Sequence, residues 1–258
     1  MRFRNSIAIV TGGGSGIGRA TAERLSREGA QVVILDVDQD RAELVVASVT
    51  TCGGTASFLH TDVSDDRAVE SAFDEIVTRF GVPNIVVSCA GILHVAPALD
   101  TTLTAFDRVI SINLRSVFMV SVAAARRMIA GGITGSIVNV TSIHAVISEP
   151  NASAYTAAKG GIEAMSRTFA SEWAKYGIRV NCVRPGATRT SLTEELYTDG
   201  ILNALALRIP LKHPASPEQI AAGICFLASP DADYITGTAL DVDGGYIMDG
   251  SLPQIEYR

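Results

Sequence analysis

The run Ile7-Ala8-Ile9-Val10-Thr11-Gly12-Gly13-Gly14-Ser15-Gly16-Ile17-Gly18 decides how the rest of the chain is read. Ile7 to Val10 are apolar without alternation, as expected of a strand covered on both faces. Beyond the glycines, Ile17, Ala20, Thr21, Arg24 and Leu25 recur at helical spacing, and Gly29 closes that stretch as a C-terminal glycine does. The order is therefore strand, glycine turn, helix. Glycines let the backbone take positive φ and approach a ligand closely, while the free N–H groups and positive dipole end of the helix face an anion. A dinucleotide pyrophosphate suits such a turn, with Gly12, Ser15, Gly16, Ile17 and Gly18 as candidate contacts.

Outward from this turn, similar apolar runs recur at Val32 to Leu35, Ile85 to Val87, Ile137 to Val140 and Val180 to Val183, with further strands expected at Ala56 to His60 and Ala239 to Val242. Helical segments separate them. Alternating β and α elements predict an α/β fold, a Rossmann-like doubly wound parallel sheet with helices on both faces. No linker-like stretch divides the 258 residues, so residues 1–258 read as one domain. Residues 188–217, with a weak helical pattern between Pro185 and Pro214, stand apart as an insertion more in keeping with a mobile flap than with core.

Composition narrows the function classes. Hydrophobic residues make up 47% and charged residues 19%, enough apolar surface for a packed globule. Lys plus Arg number 21 against 27 for Asp plus Glu, a net charge of −6, so no cationic field draws in nucleic acid or an anionic membrane surface. The four cysteines, Cys52, Cys89, Cys182 and Cys225, form no CxxC pair, and the four histidines show no metal-ligand spacing, so no metal is expected. Without a signal-peptide core or a membrane-length apolar run, a cytoplasmic location is expected.

Four residues carry candidate chemistry. Asp36 ends the second run, about 20 residues beyond the glycine turn, where a carboxylate accepts hydrogen bonds from an adenosine ribose and repels a 2′-phosphate. NAD is expected over NADP. Tyr155 and Lys159 lie one helical turn apart, so an ammonium can stabilise the phenolate of its neighbour and make tyrosine a usable acid or base. Ser142 follows the strand that ends near Thr141, at the carboxyl edge where open parallel sheets bind ligands.

Together with Thr11-Gly12-x3-Gly16-x-Gly18, Asp62-Val63, Ala90-Gly91, Asn113, Pro185-Gly186 with Thr190, and Asp243-Gly244-Gly245, these residues make the chain resemble a short-chain dehydrogenase/reductase from about residue 5 to about residue 247. The resemblance implies roles. Tyr155 would exchange a proton with the substrate oxygen, Ser142 would hydrogen-bond that oxygen, and Lys159 would hold the nicotinamide ribose while lowering the tyrosine pKa. Asn113, in the helical stretch Phe106 to Met128, would anchor a water linking Lys159 to solvent. Asp62 and Val63 would meet the adenine, Ala90 and Gly91 would line the cofactor, Pro185, Gly186 and Thr188 would border it, and Thr190 would bind its carboxamide. Where the family usually has Asn-Ala-Gly, this chain has Cys89-Ala90-Gly91, which weakens a brace between strands and reads as a buried structural thiol.

The segment Ser142-Ile143-His144-Ala145-Val146-Ile147-Ser148-Glu149-Pro150 resembles the matching loop of glucose dehydrogenases in that family, which also carry histidine two residues after the serine. The implied activity is NAD-dependent hydride transfer to or from a small-molecule secondary alcohol or ketone, with a sugar or polyol leading. His94, His144 and Glu149 are the candidate substrate contacts, though His144 could instead pack beneath its loop. A 3-oxoacyl carrier-protein reductase or other ketone reductase is the alternative, and an inactive cofactor-binding regulator the third reading. The apolar end, Tyr246 to Arg258, is expected at a subunit interface, and the resemblance implies a homotetramer.

Overall fold

The computed structural model describes residues 1–249. Seven parallel strands form one sheet: β1 (Ile7–Thr11), β2 (Gln31–Asp36), β3 (Thr55–His60), β4 (Ile85–Ser88), β5 (Gly135–Val140), β6 (Ile178–Pro185) and β7 (Ala239–Val242). They lie in the order β3-β2-β1-β4-β5-β6-β7. Every strand expected from the sequence is present. The helices between them are α1 (Gly16–Arg27), α2 (Gln39–Thr51), α3 (Asp66–Phe80), α4 (Leu103–Ile110), α5 (Ser116–Ala130), α6 (Ser153–Trp173), α7 (Asp199–Arg208) and α8 (Pro217–Ala228).

The strands lack polar alternation because each face is covered by helices. Val32 and Ile34 turn into one apolar cluster with Leu25, Val45 and Ile224, whereas Val33 and Leu35 turn into the other with Phe73, Ile76 and Val120. Side chains alternate along a strand, so consecutive residues feed opposite cores. Each fully buried aliphatic side chain contributes about 1.5–3 kcal/mol, which explains why an unbroken Val/Ile/Leu run is retained. The run Leu103–Ala130 is long and apolar enough to cross a membrane, with mean hydropathy 1.4, but half of that window is buried inside the fold, where it packs on the sheet.

That run is not one regular helix. Ser111–Arg115 forms a π-helical turn between α4 and α5, and Asn113 sits at its centre, 1% exposed. Phe106 to Met128 is helical as expected, with the π turn set inside it. Such single-turn bulges hold a side chain that regular α geometry would place elsewhere.

Behind the carboxyl edge, Glu163 on α6 meets Arg184 on β6 in a two-pronged contact, Nε to Oε1 at 2.6 Å and Nη2 to Oε2 at 2.7 Å. Thr141 Oγ1 also donates to Glu163 at 3.2 Å, and Arg184 Nη1 reaches Asp241 on β7 at 3.1 Å. The carboxylate is only 5% exposed. A buried charge that loses its partner is costly, so Arg184→Met should lower the unfolding free energy measured in urea by about 3–5 kcal/mol. A loss below about 1 kcal/mol would place this pair with ordinary surface contacts instead.

Candidate active site

Strand order reverses between β1 and β4, so a crevice opens at their carboxyl ends, the place where open parallel sheets take ligands. The glycine turn lies there because only glycine fits. Gly12 has φ +64, and a Cβ on it would stand 2.8 Å from Ala90 Cα; a Cβ on Gly18 would stand 2.1 Å from the Gly12 oxygen. Thr11 Oγ1 completes the junction by accepting from the Cys89 and Ala90 amides, both at 3.2 Å. Ser15 precedes α1 in extended geometry and does not cap it with its side chain, which leaves the first amides of the helix without a side-chain acceptor. Ile17 faces the cleft.

Asp36, at the end of β2, accepts from the Gly14 amide at 2.9 Å and from the Asp38 amide at 3.0 Å. A carboxylate has acceptor capacity beyond these two bonds. Asp62 lies exposed after β3 and accepts from the Ser64 amide and hydroxyl, while Val63 beside it is buried in the core. Gly91 faces both the Asn113 side chain, 3.3 Å from its would-be Cβ, and Lys159 Nζ at 3.9 Å. The donor-rich turn, the ribose-ready carboxylate and the narrow floor of small residues fit a dinucleotide cofactor.

A cleft of about 480 Å³ continues from this floor and brings together Ser142, His144, Glu149, Tyr155, Lys159, Pro185, Gly186, Thr188 and Thr190. Ser142 ends the extended chain after β5 and accepts from the His144 amide at 3.2 Å, which fixes its hydroxyl at the head of a short 3₁₀ turn. It also lies near enough to the Tyr155 phenol to pull that group's pKa down. Tyr155 and Lys159 share one face of α6, with the ammonium 5.5 Å from the phenol ring centroid. Lys159 is 6% exposed and donates to the Val140 carbonyl at 2.8 Å.

Burial acts on the two groups in opposite directions. It pushes the Tyr155 phenol above its ordinary value, with Ser142 pulling partly back. It pulls Lys159 down to about 8, against smaller contributions from Cys89 and Cys182. Desolvation disfavours the charged form of each, phenolate and ammonium alike. Cys89 is pushed up to about 12 by burial, which agrees with an inert thiol.

Two candidate residues stand differently from their sequence reading. Asn113 clamps the backbone of Ile92, accepting its N–H at 2.8 Å and donating to its carbonyl at 2.9 Å. Its amide thus positions the Gly91–Ile92 segment. His94 is not among the residues that line the cleft, whereas Leu93 and Val95 are. His144 and Glu149 do meet, Nε2 to Oε2 at 3.2 Å.

The excursion after Gly186 is closed at its base by a bridge between Thr188 and Ala215, and by Arg189 N to Ala215 O at 2.9 Å. Its helix α7 buries no side chain, so it lies outside the core as expected. Thr188 Oγ1 donates to Gly186 O at 2.9 Å, and Thr190 lies 3.3 Å from the would-be Cβ of Gly16. The excursion reveals contributors that the sequence did not single out. Thr193 Oγ1 donates to Thr188 O at 2.6 Å and accepts from Thr190 N at 3.0 Å, holding that loop in shape. Tyr197 and Tyr246 line the cleft. Tyr246 therefore belongs to the cleft wall, with Arg208 stacked 5.2 Å from its ring, and residues 250–258 of the expected interface segment lie outside the described residues.

Among known proteins, a family model described as enoyl-(acyl carrier protein) reductase matches residues 12–247. The chain is similar to cis-4-hydroxycyclohexanecarboxylate dehydrogenase of Sinomonas cyclohexanicum, 40% identical over 95% of this chain and 97% of that one. It is also similar to (3R)-3-hydroxyacyl-CoA dehydrogenase of Homo sapiens, 36% identical over 96% and 97%. Among solved structures, a proposed 2-deoxy-D-gluconate 3-dehydrogenase of Agrobacterium tumefaciens with bound NADP superimposes with a TM-score of 0.90, at 33% identity over 95% of this chain and 98% of that one. With its seven-stranded parallel sheet, its glycine turn at the strand-order reversal and these matches along nearly the whole chain, the protein belongs to the short-chain dehydrogenase/reductase family.

Proposed function

We propose that the protein is an NAD-dependent oxidoreductase acting on a secondary alcohol or the matching ketone. The observation that carries this reading is the gathering of Ser142, Tyr155 and a buried Lys159 in one cleft that adjoins the glycine turn. Relatives named as hydroxycyclohexanecarboxylate and hydroxyacyl-CoA dehydrogenases support a CH–OH substrate. The inactive-regulator reading has nothing comparable in its favour, since all three proton-handling side chains meet.

Bound at the crevice, a nicotinamide cofactor would supply the hydride acceptor or donor. Gly12, Gly16 and Gly18 would admit its pyrophosphate against the backbone, Asp36 would hold the adenosine ribose, and Lys159 the nicotinamide ribose. Ser142 orients the substrate oxygen, and Tyr155 takes or returns the hydroxyl proton. Because burial holds the phenol up, Tyr155 needs the nearby ammonium to reach its anionic form, and Lys159 is itself partly discharged above about 8. Asn113 shapes the loop that carries Gly91 against Lys159, and a water at that loop could link the lysine to solvent.

For the substrate, Leu93, Val95, Leu192, Leu196 and Leu205 give the cleft an apolar wall, which suits a ring or chain alcohol better than the sugar or polyol that the loop resemblance suggests. An acyl ketone, as in the carrier-protein reductase alternative, shares that preference. A homotetramer in the cytoplasm completes the proposal. It is supported by the half-exposed Phe118, which continues a ring series through Phe169, 6.0 Å away, to Trp173, stacked at 4.2 Å.

Replacing Tyr155 with Phe should lower kcat for alcohol oxidation by at least about 100-fold while the Kd for NADH moves less than about threefold. Near-normal turnover would refute the proton-transfer role. In fluorescence titrations NADH should bind at least about tenfold tighter than NADPH, a gap of about 1.4 kcal/mol, and Asp36→Ala should narrow it. Equal affinities in the unaltered protein would overturn the assignment of NAD.

A further inference from the structure

Glu149 is the one acidic side chain among the described residues that line the substrate cleft. It is half-exposed at the rim, and its Oε2 lies 3.2 Å from His144 Nε2, with no Lys or Arg of the described residues within 4 Å. His144 does not cancel that charge. Burial holds its imidazole below the ordinary histidine value, outweighing the pulls of Glu149 and the Ser148 backbone, so the ring is neutral near pH 7. The contact thus orients the carboxylate without setting a positive charge against it.

Among the described residues, Lys159 is the only ammonium lining the cleft, and it is buried and bonded to the Val140 carbonyl. Arg189 and Arg19 line an adjoining hollow of about 490 Å³ that shares Thr190 and Tyr197 with the cleft. The Tyr155 phenol, raised chiefly by burial, is raised further by Glu149, whereas at Tyr197, also raised chiefly by burial, Arg189 offsets the smaller effect of Glu149. A negative group on a molecule bound at Tyr155 would meet the charge of Glu149.

We propose that Glu149, held in place by His144, filters the cleft by charge: the substrate is a largely apolar alcohol or ketone, uncharged around its reacting carbon, and molecules with a carboxylate or phosphate near that carbon are turned away. This deepens the oxidoreductase reading and rests on it for the word substrate.

The test uses two ring compounds of nearly equal size that differ in charge, cyclohexanecarboxamide and cyclohexanecarboxylate, titrated calorimetrically at pH 7.5 into the NADH-loaded protein. NADH avoids the positive nicotinamide ring of the oxidised cofactor. The amide should bind at least about tenfold tighter than the carboxylate, and Glu149→Gln should cut that ratio to about threefold or less, chiefly by improving carboxylate binding. His144→Ala should also narrow the ratio by freeing the carboxylate to swing into solvent. Equal binding of the two compounds, tighter binding of the carboxylate, a ratio unmoved by Glu149→Gln, or no binding of either would each overturn the filter. Failure of the parent reading looks different: no secondary alcohol would reduce NAD, even with the charge ratio intact.

Discussion

A backbone contact too close for any side chain holds the functional half of the molecule together. Where β1 turns into α1, the Gly12 backbone lies against Ala90 at the end of β4, and the first turn of α1 lies against the Gly12 carbonyl at Gly18. A Cβ at either glycine would fall below any real contact distance, so the turn, the helix and the neighbouring strand can meet only with hydrogen in those positions. That approach places the dipole end of α1 over the sheet's reversal point. It also brings Gly91 beside Lys159, so the cofactor floor and the proton-handling lysine share one boundary.

Burial then sets the chemistry along that boundary. The same low-dielectric surroundings hold Tyr155 neutral and draw Lys159 toward neutrality, so the pair is poised rather than fully charged. In water, a phenol near 10 and an amine near 10.4 would have little reason to influence each other at neutral pH. Brought together out of solvent, each becomes sensitive to small changes of charge in the cleft, which is the condition for a site that must gain and lose a proton each turnover.

The parts of this arrangement that follow local rules were open to reading from the sequence. Five apolar runs mark the central strands because burial on both faces leaves no room for polar alternation, and the two edge strands β3 and β7 are less buried. Tyr155 and Lys159 share a face because one helical turn separates them. Other features depend on contacts distant in sequence. The π-turn at Asn113 answers to the backbone of Ile92, which no spacing within Phe106 to Met128 reveals. Thr193 resembles any loop threonine until the chain folds back on Thr188 and Thr190. Hydrophobicity marks Tyr246 for burial without naming the surface, and here the surface is the cleft. Residue type alone singles out His94, whereas the cleft is lined by its neighbours Leu93 and Val95.

The remaining step links the distant ion pair to the proton-handling group. Lys159 and Glu163 lie one turn apart on α6 and present polar anchors to the same side of the sheet. The first is tied to the carbonyl of Val140 on β5, the second to Arg184 on β6 and to Thr141 after β5. A single anchor would let a helix roll about its axis, whereas two anchors a turn apart on different strands fix both its rotation and its height. Tyr155, one turn before Lys159, inherits that constraint and is held against Ser142 without a large network of its own. The buried carboxylate and guanidinium offer uncertain net stability compared with apolar residues of similar size. Their position between α6 and two strands instead gives the phenol a fixed direction, and precise direction is what proton transfer over hydrogen-bond distance demands.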